Sequence, residues 1–332
     1  MSKKISLTGI KPTGAPHFGN YIGAVRPALE MANSDEYEGI YFIADYHSLT
    51  SVHDPKLLNE YIYEVAATWL ACGLNPDKTT IYLQSQVSEV MEFNWILSCF
   101  TSKGLMNRAH AYKAFVQKNE ELGRDEDQGV NMGLYTYPIL MACDILIHKA
   151  DVVPVGEDQL QHVEISRDIA NAFNHNYKKE LFKLPEGMAR KGVMLPGLDG
   201  RKMSKSYNNH IPLFLDEKKL RKTVMKITTD STPPEAPKDP NASLVFDLFK
   251  FFANESQQAE LAAWYKRGIG WGEAKDELFK VMNNEIGEAR EKYNHYMSNK
   301  HLIDEILHAG AAKLRPGIQE YLKEVKEVIG VR

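Results

Sequence analysis

Short apolar runs and segments with helical spacing alternate along the first half of the chain. The segments ISLTGI, GIYFIAD, TTIYLQSQ and ADVVPVG each centre on a short apolar run, which is typical of strands buried on both faces. Between them, Leu58, Ile62, Val65 and Trp69 recur at the three- and four-residue spacing of a helix. Repeated βα units predict a parallel sheet covered by helices on both faces. We therefore expect an α/β fold with a Rossmann-like parallel sheet.

The alternation stops in two places. Near 105–131 the chain is polar and helix-prone, which predicts a helical insertion in the α/β frame. After Asn209 no strand pattern recurs, and LVFDLFKFF, AELAAWYKR and HLIDEILHAGAAKL have helical periodicity. We therefore expect two domains: a Rossmann-like domain over 1–209 that carries the insertion, and a C-terminal helical domain over 210–332.

The composition is that of a globular protein, with 332 residues, 43% hydrophobic, 25% charged and a formal net charge of −4. A nucleic-acid partner would therefore have to meet a local basic face. The first segment, MSKKISLTGI, is too short and too mixed for a signal peptide, and no apolar run approaches the length of a membrane span. We expect a cytoplasmic protein. Three cysteines without a CxxC pair indicate neither a disulfide framework nor a cysteine-rich metal site.

The segment PTGAPHFGNYIGA follows the first predicted strand and opens the first helix. In a Rossmann-like sheet, this is where glycines let the backbone approach a phosphate and where helix N–H groups point toward it. The spacing is not GxGxxG; instead His17 and Asn20 flank Gly19. The segment is either a phosphate site or a turn whose histidine caps the helix, and Pro27 predicts a kink or a late helix start.

Asp144 lies among apolar residues in LYTYPILMACDILIHKADVVPVGEDQ, on a helix that must be largely buried. A lone buried carboxylate is costly unless it accepts hydrogen bonds. Its partner is either an internal hydroxyl or histidine, or an N–H group of a ligand. The following GEDQ predicts a turn from strand to helix, and acidic residues there are ordinary at a helix N-terminus.

The segment RKMSKSYNN places two lysines, Lys202 and Lys205, on a polar loop after the turn-rich MLPGLDG. A charge run of this kind is usually solvated surface. A loop that is free to swing, however, can bring lysines to the charge that develops on a transferring phosphate.

The motifs HFGN, GEDQ and KMSKS occur in the order and setting of class I aminoacyl-tRNA synthetases, which the chain resembles. The segments GNYIGA, YPILMACDIL and DVVPVGEDQLQHVEISRDIA are similar to the tryptophanyl-tRNA synthetases, and the resemblance runs nearly end to end. It implies ATP-dependent activation of L-tryptophan to an adenylate, release of pyrophosphate, and transfer to tRNA(Trp). Mg²⁺ would accompany ATP, with no dedicated protein metal site.

The resemblance also implies roles for individual residues. The implied catalytic residues are His17, Asn20, Lys202, Ser204 and Lys205. The implied ATP-binding residues are Lys11, Pro12, Thr13, Gly19, Asn20, Gly23, Gly156, Glu157, Asp158, Val193, Lys202, Met203, Ser204, Lys205 and Ser206. The implied tryptophan-binding residues are Leu7, His47, Tyr137, Met141, Asp144, Val153, Val155 and Gln159.

Tryptophan is favoured over tyrosine by two apolar positions. Asp144 would accept the indole N–H, but tyrosyl enzymes also carry an acid at this place. They usually have a glutamine where this chain has Met141 and a tyrosine where it has Leu7. The alternatives are a tyrosyl-tRNA synthetase, a paralogue that binds without charging tRNA, and a nucleotidyltransferase acting on a small acid.

The resemblance implies tRNA(Trp) and a second copy of the chain as partners. The segments DEKKLRKTVMK and RAHAYK are the candidate tRNA-binding runs, and the C-terminal helices would recognise the anticodon. A homodimer is expected, with the insertion at its interface. The chain departs from the family pattern at Lys11, at Cys143 and at Tyr207, where SYNN replaces SDPN.

Overall fold

The structure is a computed structural model that describes residues 3–190 and 193–331. Within these residues, five parallel strands form one sheet in the order β3-β2-β1-β4-β5. This confirms the predicted parallel α/β sheet. The strands are β1 (Lys4–Ile10), β2 (Tyr37–Ile43), β3 (Thr80–Leu83), β4 (Val152–Gly156) and β5 (Glu186–Arg190).

The fifth strand was not predicted. Strand β5 has the sequence EGMAR and pairs only with β4, beginning with Val152 opposite Glu186. An edge strand is held mainly by backbone hydrogen bonds to one neighbour, so it does not need the apolar run that reveals a central strand.

Helices cover both faces of the sheet and make up the regular structure of the described chain after Asn209, as predicted. The α-helices are α1 (Phe18–Asn20), α2 (Arg26–Ala32), α3 (Asp45–Ser48), α4 (Pro55–Ala71), α5 (Glu89–Phe100), α6 (Lys103–Asn107), α7 (His110–Glu121), α8 (Met132–Ile147), α9 (Leu160–Tyr177), α10 (Glu217–Val224), α11 (Leu244–Phe249), α12 (Glu255–Arg267), α13 (Trp271–Ser298) and α14 (Lys300–Ile329). None of the helices in the described residues is long and apolar enough to cross a membrane.

The first helical segment is interrupted, as Pro27 predicted. Helix α1 runs into a π-helical turn over Tyr21–Val25, and α2 then starts at Arg26 with Pro27 in its first turn. The Arg26 N–H still bonds to the Tyr21 carbonyl, but Pro27 has no N–H to donate, so the change in helical hydrogen bonding falls where that bond is missing. The wider π turn lies directly after HFGN, next to the predicted phosphate site.

Two apolar clusters cover the two faces of the sheet. Tyr41 and Ile43 of β2 belong to one cluster, whereas Phe42 between them belongs to the other, as the alternation of a strand requires. The second cluster also includes Ile318 and Tyr321 of α14. The last helix therefore packs against the α/β part of the chain.

Helix α14 contacts the sheet closely at β3. A Cβ atom added to Gly310 would lie 1.9 Å from the carbonyl oxygen of Ile81. Lys313, one turn further on, donates to Thr80 Oγ1 at 3.1 Å. Glycine at position 310 therefore allows backbone contact between helix and strand, since even one methyl group would overlap the carbonyl.

We predict that Gly310→Ala lowers the free energy of unfolding by about 1–3 kcal/mol, because the added methyl group must push α14 away from β3. Gly317→Ala is the matched control on the same helix, since its Cβ would meet no described atom within 4 Å. It should raise stability by up to about 1 kcal/mol through helix propensity. Urea denaturation of both variants measures the difference. A Gly310→Ala protein as stable as Gly317→Ala would contradict the close contact.

Candidate active site

The candidate site lies at the carboxyl ends of β1 and β4. β1 lies between β2 and β4 in the sheet: the chain leaves β1 toward β2 on one side and leaves β4 toward β5 on the other, so the loops that follow β1 and β4 diverge. Such a switch point leaves a crevice where ligands bind in open α/β sheets. Leu7 of β1 and Val153 of β4 face a cavity of about 480 Å³ at this place. We call it the amino-acid cavity.

The eight residues implied for tryptophan binding all line the amino-acid cavity. They are Leu7, His47, Tyr137, Met141, Asp144, Val153, Val155 and Gln159. Its walls also include residues that were not predicted, among them Phe42 and Ile145. The fold thus gathers side chains from β1, β4 and α8 around one largely apolar space.

Lys11 also lines the amino-acid cavity. It was placed with the ATP-binding residues, but here its ammonium group donates to Thr50 Oγ1 at 3.1 Å. Burial lowers the pKa of Lys11. The loop after β1 therefore directs this charge toward the mouth of the amino-acid cavity.

Asp144 is the charged group at the base of the cavity and is 1% exposed. His47 Nε2 lies 2.8 Å from Oδ2, and Gln84 Nε2 donates to Oδ1 at 2.8 Å and to Oδ2 at 3.0 Å. Burial raises the pKa of Asp144, while the hydrogen bonds from His47 and Gln84 lower it. The internal histidine partner considered from the sequence is present. Two carboxylate oxygens offer about four acceptor positions, so capacity remains for a ligand N–H.

Gln84 was missed in the sequence because its segment was assigned wholly to a strand. Strand β3 ends at Leu83, and Gln84–Gln86 forms a short 3₁₀ turn. Gln84 is 1% exposed, and its Oε1 has no hydrogen-bond partner among the described residues. A polar residue directly after a buried parallel strand was the available signal, since such ends meet at one edge of the sheet.

Tyr137 on α8 and His162 on α9 form a hydrogen-bonded pair beside the cavity. The phenol oxygen of Tyr137 lies 2.5 Å from Nε2 of His162, which is 1% exposed. Burial, with a smaller effect of the Asp158 carboxylate, raises the pKa of Tyr137 to about 12, and burial lowers that of His162. Both side chains are neutral near pH 7. His162 was not singled out in the sequence, although it shares a buried helix face with Ile165 and Ile169.

A second cavity of about 510 Å³ lies between the first helix and the KMSKS loop. We call it the nucleotide cavity. The predicted residues that line it are His17, Gly19, Asn20, Gly23, Val193, Lys202, Met203, Ser204 and Ser206. Met194, Leu195 and Tyr207 also line it. A Cβ atom on Gly23 would lie 3.0 Å from the carbonyl oxygen of Val193, so the glycine lets the loop approach the helix.

His17 caps the first helix and also faces the nucleotide cavity. Its Nδ1 accepts from the Asn20 N–H at 3.3 Å, while Asn20 Oδ1 accepts from the His17 N–H at 3.1 Å. The capping role considered from the sequence is therefore present. Burial, together with His210 and Lys205, lowers the pKa of His17 to about 4. Because Nδ1 acts as acceptor in the neutral ring, the proton sits on Nε2, which can donate to an anion.

Hydrogen bonds hold the base of the KMSKS loop, for which the sequence predicts freedom to swing. Asn209 is 3% exposed; its Oδ1 accepts from the Ser204 N–H at 2.9 Å, and its Nδ2 donates to Asp199 at 2.7 Å and to the Lys202 carbonyl at 3.1 Å. One buried amide thus satisfies its hydrogen bonds by joining the loop to the turn that precedes it.

Lys205 reaches across to the loop after β1. Its ammonium group donates to the Thr13 carbonyl at 3.2 Å. Burial lowers the pKa of Lys205, and the nearby Glu64 carboxylate opposes that shift. The KMSKS loop is therefore connected directly to the segment that carries Pro12 and Thr13.

The GEDQ segment forms the turn at the end of β4, next to the amino-acid cavity. Gly156 precedes the 3₁₀ turn Glu157–Gln159, and Gln159 Nε2 donates to Asp158 Oδ2 at 3.1 Å. Within the described residues, the nucleotide cavity is lined by other side chains than these. The structure thus groups Gln159 with the amino-acid cavity and leaves Gly156, Glu157 and Asp158 exposed, outside the linings of both cavities.

The chain is similar in sequence to a described family and to tryptophan–tRNA ligases. Residues 2–286 match the profile of the family described as tRNA synthetases class I (W and Y). A tryptophan–tRNA ligase from Neisseria meningitidis serogroup A is 52% identical over 334 residues, covering 100% of this chain and 99% of the relative. Another from Pseudomonas aeruginosa is 49% identical, covering 98% of this chain and 73% of the relative.

The fold of the chain is also similar to that of a solved structure. The crystal structure of tryptophanyl-tRNA synthetase from Campylobacter jejuni, complexed with ADP and tryptophan, superposes with a TM-score of 0.90 at 42% identity. The match covers 98% of this chain and 100% of that chain. The chain therefore belongs to the class I tRNA synthetases of the tryptophan and tyrosine group.

Proposed function

We propose that the chain activates L-tryptophan with ATP and transfers it to the 3′ end of tRNA(Trp), the reaction of a tryptophan–tRNA ligase. The observation that carries the proposal is the buried Asp144 carboxylate in a largely apolar cavity at the switch point of the sheet. Relatives with this activity are about half identical to the chain over nearly its full length.

Side-chain selection follows from what the cavity offers. An indole has a single N–H donor and a large apolar surface, and Asp144 supplies an acceptor for that donor. Leu7 and Met141 supply apolar walls where a phenol hydroxyl would need a polar partner. A site that hydrogen-bonds a substrate group rejects analogues lacking it, because its own buried group is left unpaired. These features favour tryptophan over tyrosine and phenylalanine.

The first step requires alignment and charge stabilisation more than proton transfer. The tryptophan carboxylate is already ionised and attacks the α-phosphorus of ATP in line; its new P–O bond forms as the bond to pyrophosphate breaks. We assign His17 Nε2–H, Lys202 and Lys205 to stabilising the negative charge that builds on the phosphates. Ser204 would keep the KMSKS loop next to the phosphates. ATP would enter as its Mg²⁺ complex, and pyrophosphate would leave with the metal.

The adenine and ribose contacts form the other half of the site. Val193 and Met203 would flank the adenine, and Gly19 and Gly23 would let the nucleotide lie against the first helix. Their common position on the wall of the nucleotide cavity supports this assignment. Asn20 would contact the ribose or phosphate from the first helical turn.

The proposed macromolecular partners are tRNA(Trp) and a second copy of the chain. The helical part over 210–332 would recognise the anticodon, and DEKKLRKTVMK, whose centre forms α10, would contact tRNA. A two-fold homodimer is supported by Trp95, 72% exposed, and Met132, 70% exposed, which are large apolar side chains on helices adjoining the insertion. We place the reaction in the cytoplasm, where translation takes place.

ATP–pyrophosphate exchange with each of the twenty amino acids, followed by charging of tRNA(Trp), tests the proposed function. Exchange with tryptophan alone and subsequent charging are expected. Exchange with tyrosine would assign the chain to the tyrosyl enzymes, and exchange without charging would indicate a paralogue that activates or binds without supplying translation.

We predict that Asp144→Ala lowers kcat/KM for tryptophan in the exchange reaction roughly 10²-fold, because it removes a charged acceptor from a buried site. Asp144→Asn keeps the size of the side chain and one acceptor oxygen, so it should retain more activity than Asp144→Ala. Thermal denaturation of both variants provides the folding control. Undiminished exchange in a folded Asp144→Ala protein would remove Asp144 from tryptophan recognition.

We predict that Lys205→Ala lowers kcat for exchange by roughly 10²- to 10³-fold, which is the usual effect of removing one donor to a developing charge. The KM for tryptophan should change little, since the contact forms on the phosphate side. Lys78→Ala, which changes an exposed lysine just before β3, is the control and should leave exchange unchanged. Equal rates for the two variants would show that Lys205 does not act in the activation step.

A further inference from the structure

Tyr137 and His162 form a hydrogen-bonded pair at the wall of the amino-acid cavity. Tyr137 lines the cavity, whereas His162 lies behind it on α9, with ring centroids 5.2 Å apart. Nε2 of His162 faces the phenol oxygen at 2.5 Å. Nδ1 of His162 is buried and has no hydrogen-bond partner among the described residues.

The hydrogen bond between Nε2 of His162 and the phenol oxygen of Tyr137 can run in either direction. If Nε2 carries the imidazole proton, it donates to the phenol oxygen, and the phenol O–H is left to point into the cavity. If Nδ1 carries that proton, Nε2 accepts the phenol O–H, and the phenol oxygen presents only lone pairs to the cavity. Nδ1 has no partner among the described residues, so no protein group fixes which nitrogen carries the proton. A ligand group that contacts the phenol oxygen can therefore select one of the two arrangements.

We propose that His162 accepts the phenolic proton of Tyr137 and thereby makes the phenol oxygen an acceptor for the α-ammonium group of the bound amino acid. This inference rests on the proposed function, in which the family resemblance places Tyr137 near the amino group of the bound amino acid; it assigns the role of His162 behind that contact. An ammonium group has three N–H donors and no acceptor, so it can pair with the lone pairs of Tyr137 but not with its O–H. His162 is then a positioning residue that acts through Tyr137.

The charges around the pair favour this arrangement. An imidazolium at position 162 would donate to the phenol and repel an ammonium group. Burial, together with His110 and His47, lowers the pKa of His162 although the Asp158 carboxylate opposes that shift, so the ring is neutral near pH 7. The Asp158 carboxylate acts on both Tyr137 and His162, and a negative charge there favours a bound cation. The neighbourhood thus suits a cationic ligand group.

A purely structural role explains the pair less well. A phenol at the rim of a cavity could be solvated by water, and an apolar side chain at position 162 would pack into α9 without burying an unpaired Nδ1. Leaving a polar atom buried without a partner costs free energy in the ligand-free protein. That cost is understandable if Nε2 is needed as an acceptor when the amino acid binds.

Two tryptophan analogues separate the ammonium contact from the rest of the cavity. Tryptamine keeps the indole and the ammonium group, and indole-3-propionate keeps the indole and the carboxylate. We predict that His162→Leu weakens binding of tryptamine and tryptophan about 10- to 100-fold, as for loss of a hydrogen bond to a charged group. The affinity for indole-3-propionate should stay unchanged. Isothermal titration calorimetry of each ligand measures these ratios.

Three further variants separate positioning from packing. His162→Gln offers an amide oxygen to the phenol and should recover most of the tryptamine affinity. Ser166→Ala removes a buried hydroxyl that donates to the His162 carbonyl at 2.8 Å, and it should leave all three affinities unchanged. Tyr137→Phe should show the selective loss of His162→Leu, and adding His162→Leu to it should cause no additional loss.

Equal weakening of tryptamine and indole-3-propionate in His162→Leu would overturn the inference, since a packing defect has no reason to distinguish them. If His162→Leu does not fold, the same decision rests on Tyr137→Phe, in which equal weakening would overturn it as well. A wild-type protein that binds none of the three ligands would instead overturn the proposed function, and this inference with it.

Discussion

A buried carboxylate must be met by hydrogen-bond donors, and this requirement at Asp144 fixes how several elements of the fold meet. His47 comes from the segment after β2, Gln84 from the turn after β3, and Asp144 itself from α8. Removing a charge from water is costly unless such partners are in place. Helix α8 can therefore pack on the sheet only where both side chains reach the carboxylate, and these contacts also set the base of the amino-acid cavity.

The nucleotide cavity is built on a different principle. Its shape depends on close backbone contacts and on hydrogen bonds within loops. Gly23 allows the Val193 backbone to lie close to the first helix, and His17 caps that helix. Asn209 holds the base of the KMSKS loop by hydrogen bonds. These contacts can adjust with smaller cost than a buried charge. The two cavities thus suit a reaction in which a rigid pocket selects the amino acid and a loop closes on the phosphates.

The sequence predicted the central sheet because strands buried on both faces must be apolar, and this holds for β1 to β4. It did not reveal β5, whose EGMAR sequence is held by pairing with β4. The residues around both cavities were grouped through motifs that lie at strand ends and on one loop. Gln84 and His162 escaped because the role of each is defined by a partner that is distant in sequence, Asp144 or Tyr137. A polar residue at a strand end, as at Gln84, marks a candidate position but does not identify that partner.

The most direct test compares the affinity of the wild-type protein for L-tryptophan and for its benzothienyl analogue, in which sulfur replaces the indole N–H. The account predicts that the analogue binds roughly 10- to 100-fold more weakly, because Asp144 loses the donor for which it is placed. In Asp144→Ala the two ligands should bind alike. Equal affinities in the wild-type protein would contradict the claim that a buried carboxylate selects the amino acid.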